Sequence, residues 1–548
     1  MRKNLLLLLL LAGIQTLCAK ERTTQQILQA AHTALSHTGN SQMRKANAHM
    51  QMDVIQRSAQ LTVVGGENGF AIIANDDQFE AVLGYSDKEY DASNLAPGFS
   101  WWLEAMNQQL QENLNKGVTT VAVLPESPKF ASRVDQLLQT EWGQNAPYNY
   151  MTPTYTTGTG ANKQEVHYVT GCVATAMSQI MYFHKWPEKG KGNVSYYFTP
   201  EGTDQSQKLS DNLAKMPYEW DKMLTIYKGV SYTEAQGNAV ALLMKHCGYA
   251  VNMQYTRSGS GAYTSDAADA MRKRFYYNEN MHFYRRDFFP VKEWMEKIFT
   301  ELDSRHPVLY GAQSSSGGHE FVLDGYDEDG KVHVNWGWDG GQNGFFDIAT
   351  LNGYNSGQEM VLVRKNDELI PYQSYWGMNS NLQISNPTIT ALKASFSAYN
   401  LDYNKFTGQV GIIALNLSTN QKTILASDNV SDVEYLHGAN FSYSSVDLTS
   451  LENGTYRIYA ATLSSTESNW QPIRCDEKGN NSYLLTVNNG AYKLEAENDA
   501  NWTDIRTIFT NSASIRNGIF NIKGQYLGTD MNTLPKGVYI VGGKKIVK

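Results

Sequence analysis

The spacing of apolar residues predicts a small mixed unit at the start of the chain. Residues 24–35 carry apolar positions at helical spacing, which predicts a first helix. Three short runs rich in β-branched residues follow, each bounded by Gly, Asn or Asp, and they predict an antiparallel sheet. The runs are QLTVVGG at 60–66, GFAIIAND at 69–76 and EAVLGYS at 80–86. We therefore predict an α+β unit over residues 20–130, ending in an exposed, proline-containing connector, VAVLPESPKFASR, that offers a cleavage site.

Residues 131–370 form the second predicted unit, in which some segments have apolar residues at helical spacing and others have them at strand spacing. After Cys172, the residues Val173, Ala176, Met177, Ile180 and Met181 share one helical face. Further on, HEFVLDGY and KVHVNWGW alternate like strands and enclose DEDG, a hairpin turn signal. This turn is preferred over a calcium loop because the twelve-residue ligand spacing is missing. The unit is therefore of the α+β class.

The remaining chain is predicted to be β-structure. Residues 375–490 contain short alternating runs such as GQVGIIALNLS and GTYRIYAATLS, a pattern typical of a β-sandwich. Residues 491–548 hold GIFNIKGQYLG and LPKGVYIVGGKKIVK, which predict one more small β unit. The last of these stretches resembles the sorting domains at the ends of some exported bacterial proteins, and an accessory β domain is the alternative.

The first 19 residues have the organisation of an export signal. Arg2 and Lys3 precede the apolar run from Leu5 to Leu11, and Ala19 stands before the expected cut. Cys18 offers the alternative of a lipid anchor. Since no later run reaches 18 apolar residues, we expect a mature chain that does not span a membrane and is secreted or held at a bacterial cell surface.

Charge and cysteine content narrow the classes of function. The formal net charge of −8 is spread along the 548 residues without a basic stripe, which argues against a nucleic-acid partner. Cys172, Cys247 and Cys475 remain after the signal, too few and too widely spaced for a disulfide framework. Cys247 fits a helical core and, next to His246, is too isolated for a zinc site. An exported chain that keeps Cys172 therefore needs another reason for that thiol.

Cys172 is the candidate nucleophile. It follows Gly171 and opens the predicted helix, where free N–H groups and the partial positive charge of the helix end favour a thiolate. The same N–H groups can bind an oxyanion. A small buried hydrophobic residue is the alternative role for this cysteine.

His319 is the candidate base. It follows two glycines at the start of a predicted strand and lies 147 residues after Cys172, close to the spacing of about 130–150 in papain-type enzymes. His333 is the competing candidate, on the second strand. Asn335 shares a strand face with His333 and, across the hairpin, could orient the His319 ring. Trp336 and Trp338 could shield that bond or simply pack in a core.

Four stretches in order resemble the streptopain family of papain-like cysteine peptidases, which includes the bacterial interpains. They are TEWGQNAPYN, TGCVATAMSQIMYFHKWP, GGHEFVLDGYD and HVNWGWDGGQNGFF, and the unit with NGFAIIANDDQFEAVLGYS resembles the inhibitory propeptide of that family. The match covers about residues 20–370. One departure is the segment VTGCVAT, which lacks the Cys and the aromatic residue that flank the thiol in plant-type enzymes, so their substrate preferences do not transfer.

The resemblance implies a papain-like two-subdomain peptidase made as a zymogen, with its own propeptide as an intramolecular inhibitor and proteins or peptides as substrates. It implies Cys172 as nucleophile, His319 as general base and acid, Gln144 as an oxyanion donor beside the Cys172 N–H, and Asn335 or Trp336 as the residue that orients the imidazole. No metal or organic cofactor is required. A transglutaminase or amidase on the same fold, or an adhesin with an inert thiol domain, are the alternative functions.

Overall fold

The computed structural model separates the chain into two compact units, residues 1–370 and 371–548. The structure describes residues 20–36, 51–66, 69–118, 122–314, 317–351, 357–368, 372–378, 380–385, 391–476, 479–497, 519–521, 526–528, 538–541 and 544–547. The predicted export signal and Cys18 lie outside these residues, as does most of 498–548. No helix within the described ranges is both long and apolar enough to cross a bilayer.

The N-terminal part of unit 1 forms the predicted helix and strands. Helix α1 (Thr24–Ser36) lays Ile27, Ala31 and Leu35 on the sheet. A second helix, α2 (Pro97–Lys116), begins with proline in its first turn and ends at Gly117 in the left-handed conformation. The strands are β1 (Asp53–Arg57), β2 (Leu61–Gly66), β3 (Gly69–Ala74) and β4 (Val82–Ser86).

The rest of unit 1 contains four helices and a second set of strands. The helix predicted after Cys172 begins at that residue, and the helix predicted around Cys247 buries that cysteine in its core. The helices are α3 (Cys172–His184), α4 (Glu234–Ala250), α5 (Thr264–Arg274) and α6 (Val291–Asp303), with short 3-10 turns at Gly160–Asn162, Trp220–Lys222 and Arg286–Phe288. The strands are β5 (Thr154–Thr157), β6 (Gln164–His167), β7 (Asn193–Phe198), β8 (Gln207–Asn212), β9 (His282–Arg285), β10 (Val308–Ser314), β11 (Gly317–Tyr326), β12 (Val332–Asn335), β13 (Gly344–Phe346) and β14 (Glu359–Leu362).

One antiparallel sheet of ten strands runs through both parts of unit 1. Its order is β1-β2-β3-β4-β13-β12-β11-β10-β14-β9, so the N-terminal strands continue the sheet of the thiol-containing part. The junction is the pairing of β4 with β13, where Tyr85 faces Phe345 and Gly84 faces Phe346. Helix α3 packs against α4 and β11. This packing places Cys172 beside the strand that carries His319.

Unit 2 is a β-sandwich followed by a small four-stranded sheet, in agreement with the predicted strands. Its two sheets enclose a common core that includes Trp376, Phe406 and Ile458, and Cys475 is buried in that core. The strands are β15 (Trp376–Met378), β16 (Gln383–Ser385), β17 (Ala391–Asn400), β18 (Phe406–Asn416), β19 (Lys422–Val433), β20 (Gly438–Asp447), β21 (Gly454–Ser464), β22 (Gln471–Pro472), β23 (Arg474–Cys475), β24 (Ser482–Asn488), β25 (Ala491–Ala496), β26 (Ile519–Asn521), β27 (Tyr526–Gly528), β28 (Val538–Val541) and β29 (Lys544–Val547).

Candidate active site

The thiol of Cys172 stands at the head of α3. The preceding Gly171 has φ +89°, and a Cβ there would lie 2.7 Å from the sulfur of Met253, so both the backbone conformation and the space require glycine. Burial raises the pKa of the Cys172 thiol, and the backbone N–H groups of Cys172, Val173 and Glu320 oppose that rise without cancelling it. Cys172 is therefore placed, as the sequence predicts, where donors of a helix end converge.

His319 faces the same cavity as Cys172. It lies near the start of β11 after Gly317 and Gly318, and it pairs with Ala312 of β10. The cavity has a volume of about 340 Å³, and both Cys172 and His319 line it. The fold thus brings together two residues separated by 147 positions, as the candidate assignment requires.

Burial disfavours the charged form of both groups. Burial is the main cause that raises the pKa of Cys172, to about 11, and the nearby Glu320 carboxyl adds to the rise. Burial also lowers the pKa of His319. At neutral pH the pair is therefore a thiol and a neutral imidazole. No hydrogen bond joins the two side chains within the described residues.

Gln144 lies beside the chain that leads into α3. Its backbone carbonyl accepts the N–H of Thr170 at 3.1 Å, two residues before Cys172. The preceding Gly143 packs so closely on Asp339 that a Cβ would meet a carboxylate oxygen at 2.4 Å. Gln144 is buried, and no described residue hydrogen-bonds to its carboxamide. The amide group is thus available to donate to a ligand.

Asn335 is held away from His319 in this structure. In the β11–β12 pairing it lies opposite Val322, three residues along from the histidine. Its Nδ2 donates to the carbonyl of Thr140 at 2.7 Å, and its Oδ1 accepts from Gln179 at 3.2 Å and from the N–H of Gly337 at 3.1 Å. Asn335 therefore ties the 140–144 segment, helix α3 and the 335–343 loop together.

Trp336 packs in a cluster of aromatic rings between the two parts of unit 1. Its ring centroid is 4.8 Å from Phe321, 5.3 Å from Phe346 and 5.9 Å from Phe99 of α2. Its Nε1 donates to the carbonyl of Gln342 at 2.9 Å. Gln144, Asn335 and Trp336 are not among the described residues that line the thiol cavity. Their assigned roles in catalysis stay predictions.

The competing His333 lies in different surroundings. Its Nδ1 contacts the Oδ1 of Asp324 at 2.6 Å, and its ring packs on Phe345. Both partners are buried, and His333 is not among the described residues around the thiol. Asp324 reaches it because a β-bulge between Leu323 and Gly325 leaves that residue out of the ladder.

The N-terminal part is anchored to the 327–347 segment. Tyr85 donates to Asp327 at 2.8 Å, the N–H of Ala96 donates to Gln342 at 2.8 Å, and Trp102 donates to the carbonyl of Asp347 at 2.8 Å. Gly98 allows α2 to approach Trp336, since a Cβ there would lie 2.9 Å from that ring. No described residue before 142 lines the thiol cavity. The N-terminal part therefore contacts the site through the loop behind it and leaves the cavity itself unfilled.

Two residues of the site were not singled out in the sequence. Gln179 stands seven residues after Cys172 and reaches the same face of α3, where its Oε1 accepts from Thr140 at 2.8 Å. Glu320 is buried beside His319, and burial raises its pKa to about 8. In each case the available signal was a polar residue directly before a run of apolar residues within a predicted helix or strand. Within the described residues, no group of three His, Cys, Asp or Glu side chains is arranged to hold a metal ion.

Comparison with known proteins identifies two families along unit 1. The family model of the Peptidase C10 family matches residues 142–346, and the family model of the Spi protease inhibitor matches residues 19–110. The inhibitor match ends before the connector that precedes Cys172. The thiol, the histidine and the 335–343 loop all fall inside the peptidase match.

Three individual proteins show the extent of the similarity. The thiol protease/hemagglutinin PrtT of Porphyromonas gingivalis is 31% identical over 385 residues, which cover 65% of this chain and 42% of that protein. Streptopain of Streptococcus pyogenes is 33% identical over 290 residues, covering 52% of this chain and 72% of streptopain. The structure of a prointerpain A fragment of Prevotella intermedia superimposes with a TM-score of 0.52 at 34% identity, covering 57% of this chain and 98% of that one. The last match extends over both parts of unit 1.

Proposed function

The chain belongs to the Peptidase C10 family of cysteine proteases, and from this premise we propose that it is an exported endopeptidase made as an inactive precursor. Residues 1–19 are the signal, 20–130 the inhibitory propeptide, 131–370 the peptidase, 375–490 a β-sandwich and 491–548 a small β or sorting domain. The observation that carries the proposal is that Cys172 and His319 face one cavity, with the thiol at a helix head. The export route and the attachment to a cell surface rest on the sequence pattern alone.

The proposed reaction is peptide hydrolysis through a thioester. After maturation, the imidazolium of His319 stabilises the Cys172 thiolate, and the sulfur attacks the substrate carbonyl carbon. The N–H of Cys172 and the carboxamide of Gln144 donate to the oxyanion, and loss of one such donor costs about 3 kcal/mol of barrier. His319 passes its proton to the leaving amine and then activates the water that breaks the thioester. Asn335 or Trp336 orients the imidazole, and no metal takes part in any step.

The resting state supports inhibition through the protonation state and position of the pair. A thiol with a pKa of about 11 and a histidine with a lowered pKa do not form an ion pair. The N-terminal part contacts Trp336 and Gln342, which belong to the loop after β12. Release of those contacts would let the loop and β11 rearrange and bring His319 to the sulfur.

The activating cut is proposed in the connector 121–133. Within its described part, Leu124 is 51% exposed, and Glu126 and Lys129 bind Lys292 and Glu296 of α6 only through surface ion pairs. Surface pairs contribute little stability, so this stretch can open for a protease. Phe130 and Val134 are buried, and the second forms a bridge with Tyr326. A cut before Phe130 would leave the peptidase sheet intact.

The test is self-processing of the full-length chain. Wild-type protein should shorten by about 110 residues beyond the signal, while Cys172→Ala should stay uncut. The matched control is Cys247→Ala, which removes the other thiol of residues 131–370, buried and not among the described residues that line the cavity, and should still mature. Processing is followed by electrophoresis and N-terminal sequencing of purified chains. Normal self-processing of purified Cys172→Ala would overturn the proposal.

A further inference from the structure

The cavity beside the thiol carries an uncompensated acidic group. Among the described residues that line it, Glu320 is the single carboxylic acid, and none is Lys or Arg. The other lining groups are mostly small or neutral, such as Ala262, Ala312 and Gly318. A volume of about 340 Å³ is within the range of small-molecule and side-chain binding pockets. The cavity therefore has room for a long substrate side chain, and Glu320 is the one acidic group among the described residues for it to meet.

One oxygen of Glu320 has no partner. The residue is 3% exposed, its Oε2 accepts from the Thr264 hydroxyl at 2.7 Å, and its Oε1 is buried without a hydrogen bond. Most buried polar atoms of folded proteins are hydrogen-bonded, so an orphan acceptor on a residue that lines the cavity calls for an explanation. A donor from a ligand that enters the cavity would satisfy it.

The fold makes space for this carboxyl. Gly311 lies opposite Glu320 in the β10–β11 pairing, and a Cβ at that glycine would come within 2.7 Å of the Glu320 Oε2 and 2.2 Å of the Thr264 hydroxyl. Any larger residue at 311 would displace the carboxyl. The local backbone thus accommodates an acidic side chain at a position flanked by His319 and Phe321.

Among the described residues, no Lys or Arg side chain acts on Glu320. The neighbouring Glu359 has Arg285 nearby, and that guanidinium lowers the pKa of Glu359 against the effect of burial. The groups that act on Glu320 are its buried surroundings, Thr264 and the like-charged Glu359. Burial keeps Glu320 mostly protonated in the empty site at neutral pH, and a cation that enters the cavity would take the place of that proton and pair with the carboxylate.

We propose that Glu320 makes this cavity a subsite for an Arg or Lys side chain of the substrate, next to the bond that Cys172 cleaves. The proposal rests on the peptidase function proposed above. The guanidinium or ammonium group donates to the free Oε1, away from water, where charge-assisted hydrogen bonds are strong. A neutral side chain of the same length leaves that oxygen unpaired and binds more weakly. Glu320 is a specificity-determining residue and takes no part in the bond-breaking steps.

The test uses pairs of peptides that differ only in Arg versus citrulline, placed in turn at each of the two positions on either side of the cleaved bond. The full-length chain matures on its own, or with wild-type enzyme added in trace, and active sites are counted by alkylation of Cys172. At one position the wild type should cleave the Arg peptide with a kcat/KM at least about tenfold above the citrulline peptide. Glu320→Gln and Glu320→Ala should reduce that ratio to near one.

Glu359→Gln is the matched control, because it neutralises the adjacent carboxyl that does not line the cavity, and it should keep the wild-type ratio. The proposal is overturned when wild type shows no Arg preference at any of the four positions, or when Glu320→Gln keeps the preference. The first outcome needs no variant and so does not depend on how the variants fold. If wild type cleaves none of the peptides or a denatured protein mixture, the peptidase function itself fails, which separates the two hypotheses.

Discussion

The two histidines of the β11–β12 pair have opposite surroundings. His333 is buried and contacts the Asp324 carboxylate at 2.6 Å, whereas His319 is half-buried, follows two glycines and has no charged neighbour that shifts its pKa. A histidine paired with an aspartate is a common feature of catalytic triads. Here the His333–Asp324 pair lies within the sheet. His319 has no such partner among the described residues and lines the cavity together with Cys172. If His319 is the catalytic histidine, as proposed, its ring has no ion-pair partner among the described residues that would have to be broken before it reaches the sulfur.

The largest effect that would test this comparison is on activity. His319→Ala should lower the kcat/KM for a peptide substrate at least about 1,000-fold, because the base and proton donor are lost. His333→Asn should keep the activity per titratable thiol. It should instead lower the free energy of unfolding by about 3 kcal/mol, since Asp324 loses its buried partner.

Activity is measured on matured chains, and stability is measured by denaturant titration on the Cys172→Ala background, which stays uncut. A large loss of kcat/KM in folded His333→Asn, with His319→Ala still active, would reverse the two assignments.

The second effect concerns the pH dependence of the thiol. A pKa raised to about 11 keeps Cys172 protonated at neutral pH, so its thiolate fraction rises about tenfold per pH unit up to that value. The uncut His319→Ala precursor should therefore react with iodoacetamide at a rate that climbs steadily between pH 7 and 10. The matured wild type should react at pH 6 already and change little above it.

At pH 7 the difference in alkylation rate should be about 100-fold or more. Mass spectrometry of the Cys172 peptide measures it, and the buried Cys247 gives the background. Equal rates for the two forms at pH 7 would contradict the raised pKa of the Cys172 thiol in the precursor.

The smallest effect concerns the anchor of the N-terminal part. Tyr85→Phe removes the hydrogen bond to the buried Asp327 and should weaken docking by about 1–2 kcal/mol, so that self-processing accelerates about tenfold. Tyr90→Phe is the control, because Tyr90 bonds to Gln56 inside the N-terminal part at 2.7 Å. Processing time courses at equal protein concentration compare the two. An equal acceleration in both variants would mean loss of propeptide stability and not release of the anchor.

Much of the local structure could be predicted from the sequence because it is periodic. The helix that starts at Cys172, the strand that carries His319 and the strands Phe406–Asn416 and Gly454–Ser464 of unit 2 follow from local patterns. The pairing of Cys172 with His319 was predicted from spacing and from the family resemblance, and the structure places both residues at one cavity. These features depend on residues close in sequence or on motifs with a fixed order.

The remainder depends on contacts that no local pattern encodes. The extra residue of the bulge at Asp324 shifts the β11–β12 register, and Asn335 consequently lies opposite Val322 and bonds to Thr140 and Gln179. The pairing of β4 with β13 joins segments about 260 residues apart. In the sequence, Glu320 is only one polar position in a strand. Its buried contacts with Thr264 and with the space at Gly311 depend on segments far away in the chain.

The junction between β4 and β13 has a further consequence for the matured protein. Departure of the N-terminal part would turn β13 from an interior strand into an edge strand with unpaired backbone N–H and C=O groups. Another extended chain could pair with such an edge. The edge spans only the three residues Gly344–Phe346, too short to template much growth. The released propeptide carries the complementary edge strand β4 and could pair with β13 again. The cleaved fragment would then inhibit the peptidase in trans, in proportion to its concentration.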